Sequence, residues 1–305
     1  MSTLIGTESE RWSLSRAIDA LAESTRQAGH PGIVWLAGLC YTFTTGLWFG
    51  WNRELAHSIQ QKGDLLQVLR NLPVGPLFGL AAAPCVGFVF LPLFRMTAGL
   101  ARLGPARAWQ IACGEHRTPS IRTVWSAGKG LTFGAFGLGV QLALMVVGAA
   151  LIGSLPIAAL ARVIEGPVDD LMTAVLMGAL LVPIVLVLLG YVVILSVLNQ
   201  FALQSLAHNR RGVYSALLHG WRIMRNDGWA TTRAMLAYVL LFATVAVISG
   251  VVSGACDVLG PTGRTIATIV EFVLFGFAGV TSAGYWARAY RALGGLSADE
   301  GVPGL

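Results

Sequence analysis

Two polar side chains interrupt long apolar stretches of this chain, and they are the first candidates for chemistry. Glu271 precedes the apolar stretch 272–287, and Gln141 lies within the apolar stretch 131–161. An ionisable group in hydrocarbon is expensive, so Glu271 is a candidate for contact with a proton or a substrate. The alternative for Glu271 is a structural ion pair with Arg264 near the interface, and for Gln141 it is an interhelical hydrogen bond.

Basic side chains in two polar connectors form the second group of candidates. Each connector carries an arginine, a short amphipathic helix with a tryptophan, and a cation before the next apolar stretch. This pattern indicates either an internal duplication or a chance similarity. A helix of this kind lies at the level of lipid headgroups, where its cations contact anionic phosphates. The predicted headgroup contacts are Arg117, Arg122 and Lys129 in the first connector, and Arg211, Arg222 and Arg225 in the second.

The second connector also predicts which side of its helix is apolar. One apolar stripe recurs there at helical spacing, and its members are Val213, Leu217, Trp221 and Met224. The arginines of the same connector lie on other faces of that helix. Just upstream, Asn199 and Gln200 are expected to cap the end of the preceding apolar stretch.

Motifs for catalysis, metal binding or a cofactor are not found in the sequence. The four cysteines form no CxxC pair, and the five histidines are mutually distant in polar connectors. No HExxH motif and no Ser-His-Asp order stands out. We therefore expect no cofactor, no metal site and no enzymatic activity. The net charge of +6 lies in loops between apolar blocks, which favours lipid headgroups over nucleic acid as the partner.

The elements that carry these residues are predicted to be transmembrane helices. Hydrophobic residues make up 55% of the chain and charged residues only 12%, about half of what a soluble domain carries. The apolar residues come in blocks long enough to cross a bilayer. The sequence therefore predicts an all-α, polytopic membrane bundle of about six transmembrane helices with interfacial amphipathic helices. The six spans are 33–51, 72–94, 131–161, 171–198, 234–256 and 266–287.

Three regions and an orientation follow from the same pattern. Residues 1–32 form a cytoplasmic amphipathic segment, 33–293 the six-helix transmembrane domain, and 294–305 a flexible tail. The connectors on the side of both termini carry sixteen Lys and Arg residues, and those on the other side carry five. The positive-inside rule then places both termini in the cytoplasm. The arginine-rich composition is typical of a bacterial protein, so the predicted location is the cytoplasmic (inner) membrane.

Finer features of packing are also expected from spacing. In the N-terminal segment, an apolar stripe at helical spacing predicts a helix on the membrane surface or one packed on other loops. That stripe consists of Leu14, Ile18, Leu21, Ala22 and Thr25. Glycine pairs with GxxxG spacing predict close approach of helices. These pairs are Gly46 and Gly50, Gly130 and Gly134, and Gly250 and Gly254.

Residues 201–228 resemble a known family. The run from Ala216 through Trp221 and Arg225 to Asn226 resembles the membrane domain of glycerophosphoryl diester phosphodiesterases and related six-span bacterial families of unknown function. The ending 283–293 is similar to their final helix. The chain departs from the family pattern at Gly220, where a serine is usual, and at Gln204, where an acidic residue is usual. In that family the phosphodiesterase chemistry belongs to a separate soluble domain, so the resemblance implies an architecture rather than an activity.

Several functions remain open at this point. One is a non-enzymatic scaffold, assembly factor or accessory subunit that contacts membrane lipids and other membrane proteins. The alternative is a transporter of a small or lipidic solute that uses the intramembrane Glu271. A membrane-embedded enzyme acting on lipid is a third. A deep polar cavity lined by Glu271 and Gln141 would favour transport, and a solid apolar bundle would favour the scaffold.

Overall fold

The structure, a computed structural model, describes residues 12–29, 34–45, 91–104, 108–110, 119–163 and 171–295. Within these ranges the chain is helical and contains no strand, so the all-α class is confirmed. The helices of the described ranges are α1 (Leu14–Ala28), α2 (Val34–Thr44), α3 (residues 91–103), α4 (Ile121–Ala127), α5 (Thr132–Val163), α6 (Leu171–Asn209), α7 (Val213–Asn226), α8 (Gly228–Asp257) and α9 (Gly260–Ala292).

Four of these helices are long and apolar enough to cross a membrane. The segments are Thr132–Gly153 of α5, Val182–Asn209 of α6, Gly228–Cys256 of α8 and Thr265–Ala292 of α9. They correspond to the third to sixth predicted spans. The predicted span 33–51 is described only through α2, which has 11 residues, and the predicted span 72–94 is described only from residue 91. The membrane class is therefore confirmed, and the number six stays a prediction.

The outward faces of these helices carry large apolar side chains. Ile152 on α5 and Val187 on α6 are each 71% exposed, and Val251 on α8 is 67% exposed. Exposed apolar surface on this scale is not typical of a monomeric protein in water. In a bilayer the same side chains meet hydrocarbon, which is what a transmembrane helix requires.

Side-chain caps explain where several helices begin. Ser13 accepts a hydrogen bond from the backbone N–H of Arg16 at 3.2 Å and begins α1. Ser120 accepts from Thr123 N–H at 3.1 Å, and Asp227 accepts from Ala230 N–H at 2.9 Å, at the starts of α4 and α8. Each cap satisfies one of the N–H groups that the first turn of a helix leaves unpaired. Gly212 precedes α7 and provides no such side chain.

Helix α9 forms the centre of the bundle and packs most closely on α2. A Cβ atom at Gly38 would collide with the carbonyl oxygen of Gly276, and one at Gly279 would collide with the carbonyl oxygen of Gly38. Thr42 Oγ1 also donates to the carbonyl oxygen of Phe275 at 2.9 Å. Close backbone approach through small residues is how helices associate where lipid removes the hydrophobic drive.

The predicted GxxxG pairs have different surroundings. A Cβ atom at Gly250 or Gly254 on α8 would have no described atom within 4 Å, so no described helix makes the close contact that their spacing predicted. A Cβ atom at Gly134 would lie 2.8 Å from Cδ1 of Leu206 on α6. Gly46 and Gly50 lie outside the described residues.

A buried polar network connects four helices at the core. The hydroxyl of Tyr41 on α2 donates to Gln200 Oε1 on α6 at 2.5 Å. Gln200 Nε2 and the hydroxyl of Ser282 on α9 both donate to the Tyr238 hydroxyl on α8, at 3.4 and 3.0 Å. The prediction that Gln200 caps a helix end is therefore wrong. Helix α6 continues to Asn209, and the amide of Gln200 lies inside the bundle.

One end of the bundle gathers α1, the end of α6 and the end of α9. Arg288 on α9 pairs with Glu23 on α1 at 3.2 Å and donates to Ser24 Oγ at 2.6 Å. Asn209 Nδ2 donates to the Tyr290 hydroxyl at 2.9 Å and to the Gly295 carbonyl oxygen at 3.1 Å. The predicted flexible tail begins at residue 294; its described residue Gly295 accepts this hydrogen bond, and residues 296–305 lie outside the described part.

The buried face of α1 differs from the predicted stripe. Its buried residues are mostly small, namely Ala17, Ala20, Leu21, Ser24 and Ala28, and they pack against α9 and α8. Of the predicted stripe only Leu21 is buried, while Leu14 and Ile18 are exposed. Small residues allow α1 to approach α9 closely, which places Glu23 within reach of Arg288.

Candidate functional site

Helix α7 is held on α6 by a face of small and apolar residues. Ala216, Leu217, Gly220 and Ile223 are buried. The contact is close because a Cβ atom at Gly220 would come within 3.1 Å of the Ala202 backbone nitrogen. The predicted apolar stripe is split by this packing. Leu217 is buried, Val213 and Met224 are half-buried against the core, and Trp221 is exposed.

The opposite face of α7 carries aromatic and basic side chains. Tyr214, Leu218, Trp221 and Arg225 follow one another at intervals of three or four residues, which places them on one side of the helix. Tyr214 is 69% exposed and Trp221 is 48% exposed. Arg222, beside Trp221, is exposed as well. This set of residues, Tyr214, Leu218, Trp221, Arg222 and Arg225, is called the outward face of α7 below.

The first connector is built in a similar way. Helix α4 packs on α3 with Val124 and Ala127 buried, and its Gly128 contacts the Arg95 carbonyl oxygen closely enough to exclude any side chain. Arg122 and Lys129 are exposed, and Arg117 lies outside the described residues. In both connectors a short helix folds back on the end of the preceding helix and leads into a membrane-spanning one.

A basic residue that the sequence did not single out holds α4 in place. Arg95 Nε donates to the Trp125 carbonyl oxygen at 3.0 Å, and Arg95 Cζ lies 4.2 Å from the centre of the Trp125 ring. A guanidinium over an indole face is favourable through the ring quadrupole. No sequence signal could have found this pair, because the two residues are thirty positions apart and belong to different helices.

The predicted cations Lys129 and Arg211 meet at one cavity. Its volume is about 300 Å³, and Arg102 and Arg210 line it as well. These four residues bring together the ends of α3 and α6 and the beginnings of α5 and α7. Arg122, Arg222 and Arg225 are not among its lining residues. Of the six predicted headgroup residues, Lys129 and Arg211 therefore line the cavity. The exposed residues Arg122, Arg222 and Arg225 lie outside it, and Arg117 is not described.

Glu271 finds its hydrogen-bond donors on α8. The hydroxyl groups of Ser249 and Ser253 donate to Glu271 Oε1 at 2.9 and 2.8 Å. The two serines are one helical turn apart, so both face α9 at neighbouring positions on one side of α8. The side chain of Arg264, the ion-pair partner considered in the sequence, is not described.

Gln141 lies apart from Glu271. It is half-buried on α5, a helix that packs mainly on α6 and α7. A cavity of about 650 Å³ between α5 and α6, near Pro183, has an almost wholly apolar lining. Neither Gln141 nor Glu271 lines that cavity or the basic one. The structure thus does not bring the two intramembrane polar candidates together in a described cavity.

Metal-binding arrangements are absent from the part of the chain that the structure describes. No group of three or more His, Cys, Asp or Glu side chains there could hold an ion. His219 Nε2 lies 3.2 Å from the Gly295 carbonyl oxygen, and its ring meets the Tyr290 ring edge to face at 5.9 Å. This histidine therefore fixes the end of α9 instead of projecting freely toward headgroups.

Comparison of the chain with protein-family models, with curated proteins and with solved structures gives no match.

Proposed function

We propose that this chain is a multi-pass protein of the bacterial cytoplasmic membrane that acts as a non-enzymatic scaffold or accessory subunit. It contacts anionic lipid and partner membrane proteins through the helices at the end where both termini lie. The observation that carries this proposal is the outward face of α7. Exposed Tyr214 and Trp221 stand next to exposed Arg222 and Arg225 at the end of two membrane-spanning helices.

This combination of side chains fits the boundary between headgroups and acyl chains. Tyrosine and tryptophan concentrate there because their rings are apolar and their N–H or O–H groups need a polar partner. Each arginine near an anionic surface contributes about 1 kcal/mol of attraction. The buried side of α7 is already occupied by α6, and no described residue covers the outward face, which supports its contact with lipid or a partner subunit.

Transport by way of Glu271 has less support. That function would be favoured by a polar cavity shared by Glu271 and Gln141, and the described cavities include neither residue. Glu271 is instead engaged by two serines of the neighbouring helix. These hydrogen bonds join α9 to α8, so Glu271 has the geometry of a packing contact between two helices.

The test measures how deeply the outward face of α7 lies in a bilayer. In the full-length chain with Cys40, Cys85, Cys113 and Cys256 replaced, a cysteine at Trp221 carries an environment-sensitive fluorophore. We expect brominated acyl chains to quench it in vesicles that contain phosphatidylglycerol. The matched control is a cysteine at Ser215, which is also exposed but lies about 120° around α7 from Trp221. Equal quenching at both positions, or none at Trp221, would contradict membrane contact by this face.

The partner-protein part of the proposal has its own measurement. The chain is purified from its native membrane in mild detergent, and the mass of the particle is determined. A stoichiometric second subunit that is lost on replacing Trp221 and Tyr214 with serine supports the scaffold role. A particle of this chain alone, with unchanged mass in that variant, counts against it.

A further inference from the structure

The cavity between the two connectors is lined by several cations, and its described lining residues include no carboxylate. Its lining consists of Arg102, Lys129, Gly130, Leu131, Gly134, Leu206, Arg210 and Arg211. Four positive charges around about 300 Å³ repel one another, so an anion inside the cavity would be stabilised by all of them. Burial and the charge of Arg210 both lower the pKa of the Arg102 guanidinium.

The lining changes from polar to apolar in the direction of the membrane. The basic residues lie just outside two membrane-spanning segments, one of which begins at Thr132 and the other of which ends at Asn209. Leu131 and Leu206 provide the apolar part of the wall, and Gly134 keeps that wall open beside Leu206. A ligand with an anionic head and an apolar body matches this gradient.

Two residues that line the cavity have a positive φ angle. Arg210 has φ 49°, and among the described residues it is the only non-glycine residue in the left-handed region. Glycine or asparagine normally occupies such a position, because a longer side chain costs about 1–2 kcal/mol there. Gly130, which also lines the cavity, has φ 82°. An arginine kept at a strained position is an observation that points to a function of its side chain.

We propose that this cavity binds the phosphate of an anionic phospholipid. The cations Arg102, Lys129, Arg210 and Arg211 contact the phosphate oxygens, and the upper acyl chain lies along Leu131 and Leu206. Arginine and lysine provide the N–H donors that phosphate oxygens accept, and arginine does so in pairs. This proposal rests on the proposed function and names the lipid class and the binding site. It also gives the paired connectors a shared ligand, because each contributes cations to one cavity.

The experiment uses the full-length protein in a neutral detergent, where no charged surface attracts lipid nonspecifically. The probe is dioctanoyl phosphatidylglycerol, and dioctanoyl phosphatidylcholine and inorganic phosphate are measured in parallel. We expect phosphatidylglycerol to bind most tightly. Lys129→Gln and Arg210→Gly should each weaken it about fivefold, as for one cation at an anionic group. The matched control Arg26→Gln removes one exposed arginine that lies on α1, outside both the cavity and the outward face of α7, and should leave the affinity unchanged.

Arg210→Gly also separates binding from folding. Glycine adopts a positive φ without strain, so this variant should melt at the same temperature as the wild type or higher while losing lipid affinity. If it melts lower, Arg210→Asn provides the same test with a residue that tolerates this backbone conformation.

Three results would overturn the site. They are equal affinity of wild type and the cavity variants for phosphatidylglycerol, equal affinity for phosphatidylcholine, and equally tight binding of inorganic phosphate, which would assign the site to a soluble anion. Failure here leaves the quenching at Trp221 unaffected. The site and the proposed membrane contact of α7 therefore fail independently.

Discussion

At the scale of single residues, the carboxyl group of Glu271 in the membrane-spanning part of the bundle is stabilised by hydrogen bonds. Its Oε1 atom accepts from Ser249 and Ser253, so removing both hydroxyl groups leaves it without these two donors. We expect the double change Ser249→Ala and Ser253→Ala to destabilise the protein by about 1 kcal/mol, since interhelical hydrogen bonds in membranes contribute about 0.6 kcal/mol each. Thermal unfolding in detergent measures this loss.

The same double change in a Glu271→Leu background is the control. If the serines act through the carboxyl group, they should contribute almost nothing to stability once it is gone. A loss of the same size in both backgrounds would show that the serines stabilise α8 and α9 in some other way. Such a result would leave Glu271 free for the proton or substrate contact considered in the sequence.

A functional residue can be recognised from the sequence only when its signal does not depend on partners that are distant along the chain. Glu271 stands out by itself, because one carboxyl group in an apolar stretch is visible without a fold. Its serine donors are 18 and 22 positions away, and small hydroxyl residues in a span give no signal. Arg102 and Arg210 were missed for a similar reason. Only the fold shows that the two connectors share a cavity.

At the scale of elements, the contact between α2 and α9 depends on glycine. Gly38→Ala puts a methyl group against the carbonyl oxygen of Gly276, where no flexible side chain can move away. We expect a loss of about 1–3 kcal/mol in the free energy of unfolding, as for overpacking in a tight core. Thermal unfolding of the full-length protein in detergent measures the difference.

Gly250→Ala on α8 is the matched control. It makes the same chemical change within a helix, but no atom of the described residues lies within 4 Å of its Cβ position. Alanine favours a helix over glycine by up to about 1 kcal/mol, so this variant should be as stable as the wild type or more stable. Destabilisation of the same size by both changes would mean that the α2–α9 contact is not what Gly38 maintains.

The helices themselves were largely predictable, and their faces were not. The spans from α5 onward follow from apolar length, which a single sequence displays directly. The predicted end of α6 at residue 198 falls short of its end at Asn209, because the segment that follows is polar enough to resemble a loop. In the fold, α7 and α9 cover that segment and bury Gln200, Gln204 and Ser205. A polar segment can therefore continue a helix when neighbouring helices bury it, and a single sequence does not show that burial.

At the scale of the whole molecule, several of the described basic side chains lie at one end of the bundle. Arg102, Lys129, Arg210 and Arg211 surround the cavity there, and Arg288 joins α9 to α1 at the same end. That this end carries most of the cations stays a prediction from the connector charges, which the positive-inside rule makes from the order of spans alone. The contacts that close this end, such as Asn209 with Tyr290 at 2.9 Å, required the fold.

The orientation of the whole molecule can be read from the two ends of α8. This helix has 30 residues and is about 45 Å long, which matches a bilayer with its headgroup regions. Asn226, just before α8, and Val258, just after it, are both exposed, the latter by 87%. In a chain without native cysteines, Val258→Cys should react with a membrane-impermeant maleimide in intact cells. Asn226→Cys should react only after permeabilisation, and the reverse pattern would place the basic end outside the cell.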